Sequence, residues 1–129
     1  MSDTNKQIVK NANALLAKGN TEEFLLLCAE DVEWTLLADT PSTMKGREAI
    51  RKFMKSSPGS EAPDFTVDKV IAEGEFVVAN GNMTMKSEGQ TVPYAYCDMY
   101  TFSDGKIAEL RTFINKTQAE TEKESSAAA

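Results

Sequence analysis

Near the N-terminus apolar residues recur at helical spacing. Ile8, Ala12, Leu15 and Leu16 fall at i, i+4, i+7 and i+8, and Gly19 follows as a stop, which predicts an amphipathic helix over residues 4–18. Lys6, Lys10 and Lys18 mark its polar face. Asn20 is a good N-cap with Glu23 three residues on, and Phe24, Leu27 and Cys28 continue a helical stripe, predicting a short second helix to about Glu30 that folds back on the first. The period then switches to two: in Val32-Glu33-Trp34-Thr35-Leu36-Leu37, residues Val32, Trp34 and Leu36 share one side of a strand. A loop around Pro41 follows, and Gly46 leads into a third helix, Arg47 to Lys55, with Ile50, Phe53 and Met54 on one side. Ser57-Pro58-Gly59 ends it.

From Phe65 onward the pattern is all strand, over residues 65–72, 76–86, 91–102 and 106–115. Gly74, Ser87-Glu88-Gly89-Gln90 and Ser103-Asp104-Gly105 supply the turns, and Asp-Gly is a strong hairpin signal because both residues tolerate positive φ. Asn80-Gly81-Asn82 suggests a bulge that bends its strand, with a polar pocket rim as the alternative. Residues 116–129 have no apolar face and read as a frayed or disordered tail, so one domain is expected over residues 1–115. Helix-helix-strand-helix followed by long antiparallel strands is an α+β plan in which a curved sheet wraps the first helix.

Composition narrows the chemistry. The 129 residues carry 20 Asp+Glu against 14 Lys+Arg, a net charge of −6 that argues against a nucleic-acid or anionic-membrane partner. Histidine is absent, so Ser-His-Asp and Cys-His pairs and imidazole metal sites are excluded, and acid-base work falls to carboxylates, tyrosine, lysine or cysteine. Cys28 and Cys97 stand 69 positions apart and read as buried reduced thiols. No metal site and no cofactor are expected: neither clustered ligands nor a glycine-rich phosphate loop occurs. The longest apolar run, Phe24 to Ala29, is six residues, far short of the roughly 20 that span a bilayer, and MSDTNKQ lacks a signal pattern, so a cytoplasmic location is expected. Residues 20–39 hold six acids and no base, whereas Lys45 to Lys55 holds five bases and Glu48 alone. Either solvated faces or a salt-bridge seam between helices accounts for this.

The strand from Thr91 to Phe102 carries the candidate chemistry. Alternation puts Tyr94, Tyr96, Asp98, Tyr100 and Phe102 on one side, opposite Ala95, Cys97, Met99 and Thr101. If the aromatic side faces a pocket, Asp98 is desolvated, its neutral form is favoured, and it becomes a hydrogen-bond donor suited to a carbonyl or enolate oxygen on a flat apolar ligand. The alternative is an outer side that packs in a dimer, with Asp98 paired to a lysine or to Arg111. Trp34 reads as core packing or as pocket wall.

Three stretches in order carry a family resemblance. They are Lys18-Gly19-Asn20 with Phe24 and Ala29-Glu30-Asp31-Val32-Glu33-Trp34; Lys45-Gly46-Arg47-Glu48-Ala49-Ile50 with Phe53; and Phe102-Ser103-Asp104-Gly105-Lys106-Ile107 with Arg111 and Phe113. With them, residues 5–115 resemble the nuclear transport factor 2-like superfamily, especially its SnoaL-like polyketide cyclase and ketosteroid isomerase branches. The resemblance implies a cystatin-like, cone-shaped sheet around the long helix, a pocket between them, and a homodimer packed sheet to sheet. It assigns Asp98 to the acid that donates a hydrogen bond to substrate oxygen in ketosteroid isomerases. The isomerase base falls on Leu36 and its oxyanion tyrosine on Ala12, while the acid-base Asp of the cyclases and of limonene epoxide hydrolases falls on Asn115. Arg111 matches the arginine of the epoxide hydrolase pattern. The expectation is therefore a protein that binds a small apolar, oxygen-bearing ligand, with Asp98 as the catalytic donor and Trp34, Tyr94, Tyr96, Tyr100 and Asn115 in the pocket. Its chemistry would be an isomerisation, cyclisation or hydration, and a non-catalytic binding or protein-interaction module is the alternative.

Overall fold

A computed structural model describes residues 2–38, 40–56, 64–87 and 89–117. The predicted stop at Ser57-Pro58-Gly59 and the tail beyond Thr117 lie outside the described residues. Helix α1 (Ser2–Lys18) ends as the sequence asks. Gly19 takes φ +77°, its N–H bonds the Leu16 carbonyl, and the Asn20 N–H reaches back to Leu15, a Schellman closure that satisfies two end carbonyls. Helices α2 (Thr21–Leu26) and α3 (Arg47–Ser56) complete the helical layer. Arg51 of α3 pairs with Glu22 of α2 and with Glu48, so the charge asymmetry between the two segments is realised at one point as an inter-helix seam.

Two expectations about local structure are corrected. The second helix stops at Leu26, and Cys28 begins strand β1 (Cys28–Leu37), because this stretch joins a ladder to the last strand, where the Ile107 N–H bonds the Leu27 carbonyl at 2.9 Å. The expected loop at Pro41 is an edge strand, β2 (Pro41–Lys45), paired antiparallel to β1. Pro41 stands at its first residue, where a missing N–H is tolerated.

The remaining strands are β3 (Asp64–Phe65), β4 (Lys69–Glu73), β5 (Phe76–Ser87), β6 (Gln90–Ser103) and β7 (Lys106–Lys116). The sheet is curved and unclosed, ordered β2-β1-β7-β6-β5-β3 with β4 following β3 along the same edge of β5. All pairings are antiparallel except β1 with β7, which is parallel. α1 lies across one side of this sheet, packed on β3, β4 and β5. The core between them includes Val9, Ala12, Phe24, Val32, Ile50, Val77, Phe102 and Leu110. Trp34 ties the layers together, with its ring 6.3 Å from Phe24 and edge-on to Phe53 at 5.8 Å.

The bulge expected at Asn80-Gly81-Asn82 sits instead on the facing strand. The β5–β6 register runs without interruption from Phe76↔Thr101 to Ser87↔Gln90. Between Phe65↔Met83 and Lys69↔Asn80, however, the register slips by one residue, so the segment Thr66–Asp68 carries the extra residue. Gly81 is needed there for space: a Cβ would lie 2.0 Å from the Thr66 carbonyl oxygen.

Candidate functional site

Alternation along β6 turns Tyr96, Asp98, Tyr100 and Phe102 toward α1, each 5% exposed or less. The register carries the same side onto the neighbours: Val77, Ala79 and Gly81 of β5 stand opposite Tyr100, Asp98 and Tyr96, and Leu110, Thr112 and Ile114 of β7 stand opposite the same three from the other flank. The β5 residues on this side are small, and at Gly81 the missing side chain lets the Thr66 carbonyl approach the Tyr96 hydroxyl. One step further along, β1 presents Trp34 and Leu36 beside Leu110 and Thr112.

Asp98 is the electrostatic centre of this surface. Burial pushes its carboxyl up to about 7, while a hydrogen bond from the Thr112 hydroxyl pulls in the opposite direction. The order of donors is fixed by chemistry. Trp34 Nε1–H can only donate and does so to Thr112 Oγ1 at 2.9 Å, which leaves the single Thr112 proton for Asp98. Trp34, Thr112 and Asp98 thus form a directed chain from β1 through β7 to β6. Among the described residues Asp98 has no ion-pair partner; Arg111, the alternative considered from sequence, lies on the opposite side of the sheet over the Phe113 ring.

The tyrosines flanking Asp98 are held as neutral phenols. The Tyr100 hydroxyl donates to Asn13 Oδ1 of α1 at 2.7 Å, and complete burial raises its pKa well above the ordinary value. The Tyr96 hydroxyl donates to the Thr66 carbonyl at 2.7 Å, where the bulge opposite Gly81 brings that backbone inward, and burial raises it as well. The three buried polar side chains of β6 are therefore each held from a different element: Asp98 from β7, Tyr100 from α1, Tyr96 from the β3–β4 bulge.

Of the residues singled out in the sequence, the structure brings Trp34, Tyr96, Asp98 and Tyr100 together on the covered side, with Tyr94 half-buried at its end. Asn115 is not with them. It is exposed and pairs with Ala95, on the side shared by Cys97 and Met99, because β7 turns Leu110, Thr112 and Ile114 inward and their neighbours out. Leu36 faces the covered side and Ala12 is fully buried, so neither offers a proton.

Two polar residues of this surface escaped the sequence reading. Thr112 was legible as the polar member of an inward series, Leu110, Thr112, Ile114. Asn13 lies off the expected line of Ile8, Ala12, Leu15 and Leu16: among the described residues the buried positions of α1 are Val9, Ala12, Asn13 and Leu15, a rotation of less than one residue step. Among the described residues no three His, Cys, Asp or Glu side chains converge as a metal set, and no helix is long and apolar enough to cross a membrane.

Residues 9–110 match the SnoaL-like domain. An NTF2-like protein from Burkholderia xenovorans LB400 superposes with a TM-score of 0.71 at 26% identity, covering 89% of this chain and 92% of the other. TerC, crystallised with polyporic acid, gives a TM-score of 0.77 at 21% identity over 87% and 92% of the two chains. An LEH-like epoxide hydrolase from M. tuberculosis gives 0.77 at 13% identity over 88% and 84%. No curated protein matches the sequence at a significant level.

Proposed function

The chain belongs to the SnoaL-like domain family, and we propose that it binds a small, largely apolar, oxygen-bearing molecule between α1 and the covered side of the sheet, with Asp98 donating a hydrogen bond to the ligand oxygen. The observation that carries this reading is the buried carboxyl itself: Asp98 is 5% exposed, held by Thr112, without an ion-pair partner among the described residues, and its pKa is pushed up to about 7 by burial. A protonated carboxyl among apolar and phenolic side chains is a donor matched to a carbonyl or phenolic oxygen. Support of a weaker kind comes from TerC, a fold neighbour crystallised with polyporic acid.

If the protein turns its ligand over, the reaction is an isomerisation, cyclisation or hydration in which oxyanion charge develops at the oxygen facing Asp98. The rival reading is a non-catalytic carrier or interaction module, and one observation favours it. The positions where the family's other branches keep a base are Leu36, a hydrocarbon, and Asn115, which points away from Asp98. The reading also includes a homodimer packed through the opposite side of the sheet, where Ile71, Phe76 and Phe113 are exposed.

Titration of the Asp98 carboxyl by NMR, with and without 2-naphthol or 1-tetralone, tests the binding proposal. The expected result is a midpoint near 7 that rises on ligand addition, with affinity falling as the pH passes through that value. An ordinary acidic midpoint that neither compound moves would sink it. Turnover lost in Asp98→Asn and kept in Glu33→Ala would separate enzyme from carrier.

A further inference from the structure

Asn13 belongs to no expected role, yet it is the buried polar residue of α1. It is 3% exposed, and among the described residues its Nδ2 has no hydrogen-bond partner. The orientation of the amide follows from its neighbour. Tyr100 is fully buried and stays protonated, so its hydroxyl needs an acceptor, and Asn13 Oδ1 accepts it at 2.7 Å. Nδ2 is thereby turned away with both protons unused, in a helix whose backbone carbonyls are engaged by its own ladder. Buried donors are seldom left open in native proteins, and an open one on the surface that faces Asp98's strand marks a place where a bound group completes the bonding.

Resting on the binding reading above, we propose that Asn13 Nδ2 donates a hydrogen bond to a second, acceptor oxygen of the ligand, so that the site selects flat molecules with two oxygens, one turned to Asp98 on the sheet and one turned to α1. The two donors differ in kind. The Asp98 donor exists only while the carboxyl is protonated, whereas an amide donates at every pH. Tyr100 acts here as a positioning residue, since its hydroxyl fixes which end of the amide faces the ligand.

The probes are 2-naphthol, with one oxygen, and 2,6-dihydroxynaphthalene, with a second at the far end of the same ring system. Calorimetric titration of the wild-type chain at pH 6 is expected to give about five- to tenfold tighter binding of the dihydroxy compound, the worth of one neutral hydrogen bond. In Asn13→Leu that advantage disappears, and the two probes bind with equal affinity. Because Asn13→Leu also strips Tyr100 of its acceptor and could impair folding, the wild-type protein supplies a second readout. The Asn13 side-chain amide resonances shift on addition of the dihydroxy compound. An advantage that persists in Asn13→Leu, equal binding of the two probes by the wild type, or amide resonances that stay in place each overturns the assignment alone. Failure of both probes to bind overturns the binding reading, and this assignment with it.

Discussion

On its covered side β6 carries Tyr96, Asp98, Tyr100 and Phe102; on the other it carries Ala95, Cys97, Met99 and Thr101, none of them fully buried. The strand and its alternation are common to both sides, yet the surroundings differ in kind. The three buried polar side chains that β6 turns to the covered side are each held by another element: Tyr100 by α1 through Asn13, Asp98 by β7 through Thr112, Tyr96 by the β3–β4 bulge through Thr66. The outer side shows apolar surface that the protomer leaves open, with Ile71 64% exposed beside Val78, and Phe113 37% exposed beside Cys97. Burial without water makes polar atoms depend on fixed partners, so a fault on the covered side propagates between elements, whereas one on the outer side stays where it is made.

The largest test of that contrast is the pH dependence of Asp98. Its folded-state pKa is raised to about 7 from 3.8. Below about pH 4 both folded and unfolded chains keep the proton and no penalty arises. Between there and about 7 the unfolded chain ionises while the folded one cannot, so stability falls with rising pH; above about 7 both are ionised and the loss is constant. At about 1.4 kcal/mol per pH unit the ceiling is about 4 kcal/mol. Asp98→Asn should therefore be more stable than wild type at pH 8 and lose that advantage by pH 4, as read by urea unfolding at both pH values. A pH-independent difference would mean that Asp98 ionises freely. Next in size is Gly81→Ala, whose new Cβ meets the Thr66 backbone and must displace the bulge that receives the Tyr96 hydroxyl. About 3 kcal/mol is expected in the same assay, against less than about 0.5 kcal/mol for Asn80→Ala next door on the outer side.

Thr112→Val probes the directed chain at smaller cost. It removes the acceptor of the Trp34 indole and the donor to Asp98 while keeping the side-chain shape. A loss of about 1–2 kcal/mol follows from the stranded Trp34 N–H. The second readout is more specific: without the Thr112 hydroxyl the Asp98 midpoint moves upward, since the remaining influence is burial, which raises it. A midpoint that falls or holds would show that Thr112 does not donate to the carboxyl.

How far the sequence anticipates all this depends on whether a residue's role is set locally or across elements. Strict alternation is a local property, and it grouped Tyr96, Asp98 and Tyr100 on one side of a strand before any fold was known. The Gly19 stop is local too, and φ +77° with its pair of reverse hydrogen bonds is what that residue type permits. Cys28 continued a helical stripe, yet its place is in a ladder with Ile107, some 79 positions away. Pro41 read as a loop until β1 supplied the other half of its pair. Gly81 looked like the site of a bulge, whereas its meaning lies in the backbone of Thr66 opposite. Asn115 was placed by family position, and one residue of phase in β7 decides that it faces out. In α1 a rotation of less than one residue step separates Asn13 from the expected stripe, and only the contact with Tyr100 identifies it.

The smallest expected effect lies on the outer side, and its size is what makes it useful. Ile71→Ser and Phe113→Ser alter exposed side chains that close no hydrogen-bond chain, so each should change the stability of the dilute protein by less than about 0.5 kcal/mol. The homodimer proposed above adds a concentration dependence. An interface that exists only in the folded pair stabilises the folded chain by mass action, so the wild-type melting temperature should rise with protein concentration while that of the doubly substituted chain stays flat. Sedimentation over the same series would show the wild type, and not the variant, shifting to twice the mass. Should the substitutions cost as much in dilute as in concentrated solution, the outer apolar residues would be stabilising the protomer itself. The contrast between the two sides of β6 would then be one of degree, with the covered side distinguished only by Asp98 and the partners that hold it.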